Sequence, residues 1–466
     1  MDGLPPPEGV QSILDTDLYK LTMQCAVLHH YPDVDCTYAF TNRTPDLKIT
    51  RRGFKWLQNR ISELRKLALT DSELQFLKDK CPYLPSKYLD FLHSFHFKPA
   101  EQVAAKFTPV QINELSKRAE LEELCQASKD EEFGDVEISV QGKWLDTILY
   151  EIPLLVLVSE CYFKFGNTDW THDGQEKKAK EKGRRLLESG CLFSEFGTRR
   201  RRSYHTQDLV LKGLVAAQEE FSKQHPDGPG KFTGTSNVHF AHRFNLNPIG
   251  TVAHEWFMGI AAVTGNYTNA NEIGLRHWVS TFGPGTLSIA LTDTFGTPAF
   301  LKNFSRPCDL VSPPQSYAQL FAGVRQDSGD PTEFVKLMRN FYDSQGITDQ
   351  KTIVFSDSLD IEKCIEYKKC SESYGFHTSF GVGTFLTNDF EHIRLKGRRS
   401  VPMNIVIKIS SANGNPAVKI SDNIGKNTGD KNEVKKAKEV LGYQEKEWEE
   451  GDEMYRWGGK EGAKKN

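Results

Sequence analysis

Apolar residues follow two different periods along this chain, and the period changes with position. Leu18, Leu21, Cys25 and Leu28 recur at helical spacing and predict a helix over 17–31, with Asp15 or Asp17 placed to cap its start. Val34, Cys36, Tyr38 and Phe40 then alternate with polar neighbours, the signature of a half-buried strand. Phe54, Leu57, Ile61, Leu64 and Ala68 return to helical spacing. Residues 70–130 read as mainly helical and polar, punctuated by Pro82, Pro85 and Pro99, and Val136, Ile138 and Val140 alternate as a strand. Residues 1–145 thus predict an N-terminal α+β domain, preceded over 1–11 by a leader expected to be disordered, with Pro5, Pro6 and Pro7 in a row.

From about residue 146 another pattern takes over. A short apolar run ends in a cluster of Gly, Ser, Thr, Asp or His, and an amphipathic helix follows. About seven such junctions occur: C-L-F-S-E-F-G-T-R (191–199), F-T-G-T-S-N (232–237), I-G-T-V-A-H-E-W (249–256), S-I-A-L-T-D-T-F-G (288–296), A-G-V-R-Q-D-S-G-D (322–330), T-I-V-F-S-D-S-L-D (352–360) and S-F-G-V-G-T (379–384). Their spacing suits βα units, and continuously apolar strands imply a parallel sheet covered on both faces. Residues 146–389 therefore predict a closed or nearly closed α/β barrel, whose chemistry belongs at the C-terminal strand ends where the polar clusters fall. Beyond 390 the pattern stops. N-I-V-I-K-I-S (404–410) and P-A-V-K-I-S-D (416–422) predict a hairpin turning at Asn413-Gly414. The tail, 427–466, is charged and predicts a helix that frays into a disordered end.

Composition narrows the function. The chain has 466 residues, enough for two or three domains, and 38% are apolar, so a large core can form. Net charge is −3, without the basic surplus of a general nucleic-acid or acidic-membrane binder. The longest apolar run, Ile152 to Val158, is far short of a membrane span, and the N-terminus lacks the features of a secretory signal. Nine scattered Cys without a C-x-x-C pair predict reduced core thiols and no zinc site, hence a cytoplasmic protein. Arg199–Arg202 could also serve as a nuclear-import patch, which leaves a nuclear pool open.

The junctions carry the candidate chemistry. One or two of Arg199–Arg202 are expected to face an anionic ligand, because a guanidinium fork matches carboxylate or phosphate, and the others to face solvent. His254 lacks a second His four residues on, so it is open as an acid, base or nucleophile and weak as a metal ligand. Asp293, Asp327 and Asp357 could each be a helix cap. Together at strand ends they could hold sugar hydroxyls or Mg²⁺, or stabilise a cationic transition state. Gly381, Gly383 and Thr384 offer bare amides at a helix start, suited to an anion. No P-loop and no strand-linked G-x-G-x-x-G occurs. A phosphorylated sugar fits this set.

The same residues carry a resemblance. The segments L-D-T-D-L-Y-K-L-T-M (14–23), Y-F-K-F (162–165), F-S-E-F-G-T-R-R-R-R (193–202), G-T-S-N (234–237), G-T-V-A-H-E-W (250–256), L-T-D-T-F-G-T (291–297), V-R-Q-D-S-G-D-P (324–331), S-D-S-L (356–359) and K-I-S-D-N-I-G-K (419–426) resemble, in order, the nicotinate phosphoribosyltransferases of eukaryotic type. The resemblance implies the type II phosphoribosyltransferase fold: an irregular α/β barrel joined to an α/β sandwich built from both chain ends, with 390–426 completing the sandwich. It implies that nicotinate and phosphoribosyl pyrophosphate (PRPP) give nicotinate mononucleotide and diphosphate in NAD salvage. ATP hydrolysis, to ADP and phosphate, would be coupled through a transient phosphohistidine at His254 in a ligase-type reaction. It places Phe196 against the pyridine ring and Arg199 on a phosphate or the substrate carboxylate. Arg325 and Asp327 would hold base and sugar, Asp293 would lie near the ribose and Mg²⁺, and Ser356, Asp357, Gly383 and Thr384 would meet phosphate and ribose. Tyr19 would stack on the base, from a neighbouring subunit in dimeric relatives, so a homodimer is left open. Ser236 stands where the nicotinamide-using sister enzyme has an Asp, which implies nicotinate as the base. The sister enzyme and an inactive regulatory relative are the alternatives.

Overall fold

A computed structural model describes residues 6–110, 131–395, 397–423 and 426–444. The predicted structure of 111–130, of 1–5 and of the tail beyond 444 lies outside the described residues. The strands, in chain order, are β1 Asp35–Asn42, β2 Ile49–Thr50, β3 Val103–Pro109, β4 Phe133–Lys143, β5 Leu192–Glu195, β6 Lys231–Thr235, β7 Ile289–Leu291, β8 Pro307–Cys308, β9 Gln315–Ser316, β10 Gly323–Gln326, β11 Thr352–Phe355, β12 His377–Val382, β13 Phe390–Glu391, β14 Arg399–Ser400, β15 Ile405–Ala412 and β16 Asn415–Pro416.

Two six-stranded sheets organise them. One runs β16-β15-β1-β4-β2, with β3 also on β4, and is antiparallel throughout. Its centre joins the two ends of the chain: Tyr38 of β1 faces Val140 of β4 on one side and Ile409 of β15 on the other. The alternation in β1 buries Cys36 and Tyr38 and leaves Asp35 and Ala39 outside. The β15–β16 turn uses Asn413 and Gly414 with φ of 51° and 76°, the left-handed pair such a turn requires. The other sheet, β6-β5-β12-β11-β10-β7, is parallel, and its helices complete an irregular α/β barrel.

Several expectations need correcting. Residues 103–109, expected within a helical stretch, form β3, because pairing along its whole length with Gly134–Val140 of β4 overrides its two alanines. The I-G-T-V-A-H-E-W junction forms no strand: its approach makes one bridge, Thr235 to Pro248, and 249–253 is irregular, so six strands stand where about seven were expected. The second hairpin arm is two residues long, and Lys419 lies beyond it, bridged to Thr428. Residues 6–11 are tied down: Gly9 is buried, its N–H donating to Glu160 at 3.1 Å and its carbonyl accepting from Arg201 at 2.9 Å.

The apolar run at 152–158 lies in the helix Glu151–Cys161, every residue of which is buried. A helix apolar on all sides belongs at a domain centre, and this one carries Glu151 and Glu160 into the interior. The eight described cysteines are free, and seven of them are buried. No described helix is long and apolar enough to cross a membrane.

Candidate active site

The C-terminal ends of the parallel strands and the inner face of the antiparallel sheet enclose a cavity of about 660 Å³. Tyr19, Phe196, Arg199, Ser236, His254, Arg325, Asp327, Ser356, Asp357, Gly383 and Thr384 line it. Asp293, also predicted for the site, lies one layer back against His254. Tyr19 reaches the cavity of its own chain, beside Phe196.

Helix capping does not explain the three aspartates. Asp330 caps the helix Pro331–Ser344, accepting from Thr332 and Glu333, and Asp360 caps Ile361–Ser373. The helix after Asp293 starts from Gly296. Asp327 is thereby released to the cavity, where its Oδ1 accepts from Ser356 at 2.7 Å and its Oδ2 lies 2.9 Å from His254 Nε2 and 3.6 Å from Arg325. Burial alone would raise the Asp327 pKa; Arg325, His254 and Lys419 outweigh it and hold the carboxylate well below its usual range.

His254 opens the helix His254–Thr264 and is 4% exposed. Its Nδ1 is 3.0 Å from the Thr294 hydroxyl. Its Nε2 meets both Asp327 and, at 2.8 Å, the ammonium of Lys419. One nitrogen cannot donate to the first and accept from the second. Burial, and then the Lys419 charge, push the imidazole down to about 4, against the pull of Asp293 and Asp327. In the neutral ring, a proton on Nδ1 would be donated to Thr294 and leave Nε2 to accept from Lys419, whereas a proton on Nε2 would be donated to Asp327. Asp293 accepts from Ser328 at 2.6 Å and from Lys419 at 3.2 Å, and its Oδ1 is buried without a hydrogen-bond partner. His254, Asp293 and Asp327 bring ligand atoms within 4.8 Å of one another, the only such group among the described residues.

The aromatic end is built differently. Phe196 follows β5, and its ring passes over Gly381, where a Cβ would come within 2.4 Å of it, so only glycine fits beneath. Arg199 lies 3.9 Å from Glu151 and keeps 43% of its side chain accessible. Arg200 also lines the cavity. The other two arginines of the run do not face solvent, as the sequence suggested; both are fully buried. Arg201 makes a two-pronged bridge to Asp15 at 2.7 and 2.8 Å. Arg202 lies over Phe163 and Phe390 and donates to Ser400. Asp17 is one of the two candidate caps of the first helix. It holds the N-cap position, but its carboxylate instead accepts from Ser236 Oγ at 2.7 Å and lines the cavity.

Other groups escaped the sequence reading. Lys408 on β15 and Lys419 come from the segment expected to form a hairpin, to which no site residue was assigned, and both line the cavity. Burial, reinforced by Arg199, Lys419 and Arg43, lowers Lys408 to about 7. Lys426 donates to Asp357 at 2.6 Å at the end that holds Gly383 and Thr384. Beneath the site, the buried Lys20 bridges Glu151 at 2.6 Å and also pairs with Glu255, which accepts from Tyr38 and Trp144. The signal available for Lys408 and Lys419 was a lysine inside an otherwise apolar run.

An irregular α/β barrel joined to an α/β sandwich from both chain ends, with its cavity between them, is the type II phosphoribosyltransferase fold. Residues 191–445 match the nicotinate phosphoribosyltransferase family and residues 14–159 match that family's N-terminal domain. A Schizosaccharomyces pombe protein named "probable nicotinate phosphoribosyltransferase" is 48% identical over 93% of this chain and 98% of its own length. That of Saccharomyces cerevisiae is 43% identical over 96% and 99%. A crystal structure of the S. cerevisiae protein superposes with a TM-score of 0.85 at 41% identity, covering 94% of this chain and 100% of the other. One from Porphyromonas gingivalis gives 0.78 at 33%, covering 93% and 100%. The chain belongs to the nicotinate phosphoribosyltransferase family.

Proposed function

We propose that this protein transfers the phosphoribosyl group of PRPP to nicotinate, giving nicotinate mononucleotide and diphosphate for NAD salvage. We further propose that ATP hydrolysis is coupled to the transfer through transient phosphorylation of His254. The observation that carries the reading is the buried His254 on the cavity wall, its Nε2 2.9 Å from Asp327 and 2.8 Å from Lys419. Family membership and the names of the relatives support the substrate pair.

In the transfer, the pyridine nitrogen attacks C1 of the ribose, the C1–O bond to diphosphate breaks, and positive charge develops on the sugar. The fixed Asp327 carboxylate, oriented by Ser356 and Arg325, opposes that charge. Tyr19 and Phe196 hold the ring, while Lys426, Gly383 and Thr384 serve the phosphate end. In the coupled reaction, Nε2 attacks the γ-phosphorus of ATP, ADP leaves, and water later cleaves the P–N bond; Lys419 offers the incoming phosphoryl oxygens a cation. Asp293 and Asp327 would hold Mg²⁺, and the unpartnered Asp293 Oδ1 fits a cation ligand. A cation held there would supply positive charge to offset the charge of the leaving diphosphate.

The reading places the protein in the cytoplasm. Labelled nicotinate with PRPP and Mg²⁺, with and without ATP, tests it directly: labelled mononucleotide should form and ATP should raise its yield. In His254→Ala, ATP hydrolysis and the stimulation should vanish while slow ATP-independent transfer survives. Full coupling in that variant would remove His254 from the mechanism.

A further inference from the structure

A base carrying a carboxylate raises a difficulty at the aromatic end of the cavity. Ser236 is neutral, but Asp17 sits on it, its Oδ1 accepting from Ser236 Oγ at 2.7 Å. The backbone locks the pair: Leu18 N–H donates to the Ser236 carbonyl at 2.8 Å, and Asp17 bridges to Asn237. Asp17 is 3% exposed and lines the cavity together with Tyr19, Phe196 and Arg199. The substrate carboxylate would therefore enter beside a buried protein carboxylate, and two like charges so placed repel.

We propose, resting on the function proposed above, that Asp17 is the residue that selects the ring substituent: it takes up one proton from solvent as nicotinate binds and donates it in a hydrogen bond to the substrate carboxylate. The proton moves from solvent to Asp17, the second substrate oxygen faces Arg199, and no bond to carbon changes. With an amide substrate no proton is needed, because ionised Asp17 accepts from the amide N–H. The choice between acid and amide is then set by protonation of one side chain and not by a fixed charge.

The surroundings of Asp17 suit this role. Burial raises its pKa, and Glu151 on the helix Glu151–Cys161 adds to the rise. Arg199, on the loop after β5, opposes it, as do the neutral hydroxyls of Ser236 and Thr198. The closest carboxylate to Arg199 is Glu151, at 3.9 Å, so its charge is shared. Glu195 at the end of β5 is itself buried with a raised pKa, to which Asp17 contributes. Tyr19 is likewise held neutral by burial, with Glu151 and Asp17 adding to it. A substrate carboxylate adds one more negative charge to this group, and Asp17, already easier to protonate than an ordinary Asp, is the member facing it.

Calorimetry of the full-length protein with nicotinate, in two buffers of low and high ionisation enthalpy, reads the proton. Uptake of up to one proton per nicotinate is expected, and none with nicotinamide. Between the pKa of Asp17 in the free protein and its higher value in the complex, nicotinate affinity should fall by up to about tenfold per pH unit. Asp17→Asn, whose amide is a permanent donor, should still bind nicotinate but without uptake or that slope. Infrared difference spectra of the wild type need no variant: nicotinate should bring up a protonated-carboxyl band that nicotinamide does not. Binding without uptake, uptake that persists in Asp17→Asn, or no such band would overturn the inference and leave the transfer activity standing. Failure of nicotinate to bind or to be converted at all would instead sink the functional reading.

Discussion

At the scale of single residues, neighbouring aspartates do different work. Asp330 accepts two backbone N–H groups at a helix start, whereas Asp327, three residues earlier, accepts only from side chains in the cavity. The two should therefore fail differently. Asp327→Asn removes a charge placed against the developing cation and should lower kcat by about 10²–10³ with little change in melting temperature. Asp330→Ala should cost about 0.5–2 kcal/mol of stability and leave kcat within about twofold. Steady-state kinetics and denaturant melts on the pair check both. If Asp327→Asn lost less than about threefold in rate, its carboxylate would have no part in the transition state.

At the scale of elements, buried arginines and half-buried histidines act as fasteners. Arg201 ties the segment around Gly9 and Asp15 to the loop after β5, and removing it leaves the Asp15 carboxylate buried without its partner. Arg201→Ala should cost about 3–5 kcal/mol in chemical denaturation. The helix Leu18–His30 meets the helix Ala270–Phe282 through His30, whose Nε2 lies 3.1 Å from the Thr281 hydroxyl and whose ring stacks on His277. Burial, with His277 and His29, lowers His30 to about 4. An unfolded imidazole takes its proton near about 6.5. The unfolded chain thus binds the extra proton between those values, and the stability His30 contributes is present above about 6.5 and lost as pH falls toward 4. His30→Gln should lose less stability than the wild type between those pH values, read as denaturant midpoints. These elements also show what the sequence could tell. The 34–40 alternation was legible because one face of β1 meets the core. The 249–253 segment misled because its apolar Ile249 and Val252 pack without pairing in a sheet. Eleven of the twelve predicted site residues line one cavity, most of them because they lie at or just beyond strand ends on the same side of the parallel sheet, whereas Tyr19 is brought in by the helix Leu18–His30. Asp17 was hidden by its N-cap position, where an Asp needs no other explanation, Lys408 by a strand whose lysine turns into the cavity, and Lys419 by lying beyond the short hairpin arm.

At the scale of the whole molecule, charge is distributed unevenly. The chain carries −3 overall, yet seven cationic side chains and five carboxylates line the cavity. That local excess should draw in a polyanion such as PRPP, and salt should weaken it. KM for PRPP is expected to rise several-fold between about 0.05 and about 0.5 M salt, far more than KM for nicotinate. A KM for PRPP indifferent to salt would mean that the cavity carboxylates cancel the field. The central sheet has a further consequence, for the order in which the protein can be made. Thr37 on β1 shares a hydrogen bond with Ser410 on β15, 373 residues further on. On the ribosome β1 emerges early and must wait for almost the whole chain to be synthesised before that edge is covered. During that interval it presents an unpaired strand edge to every other nascent chain nearby. Recombinant yield should accordingly depend on translation speed and on chaperones that bind extended segments, and a circular permutant that makes β15 first should need them less.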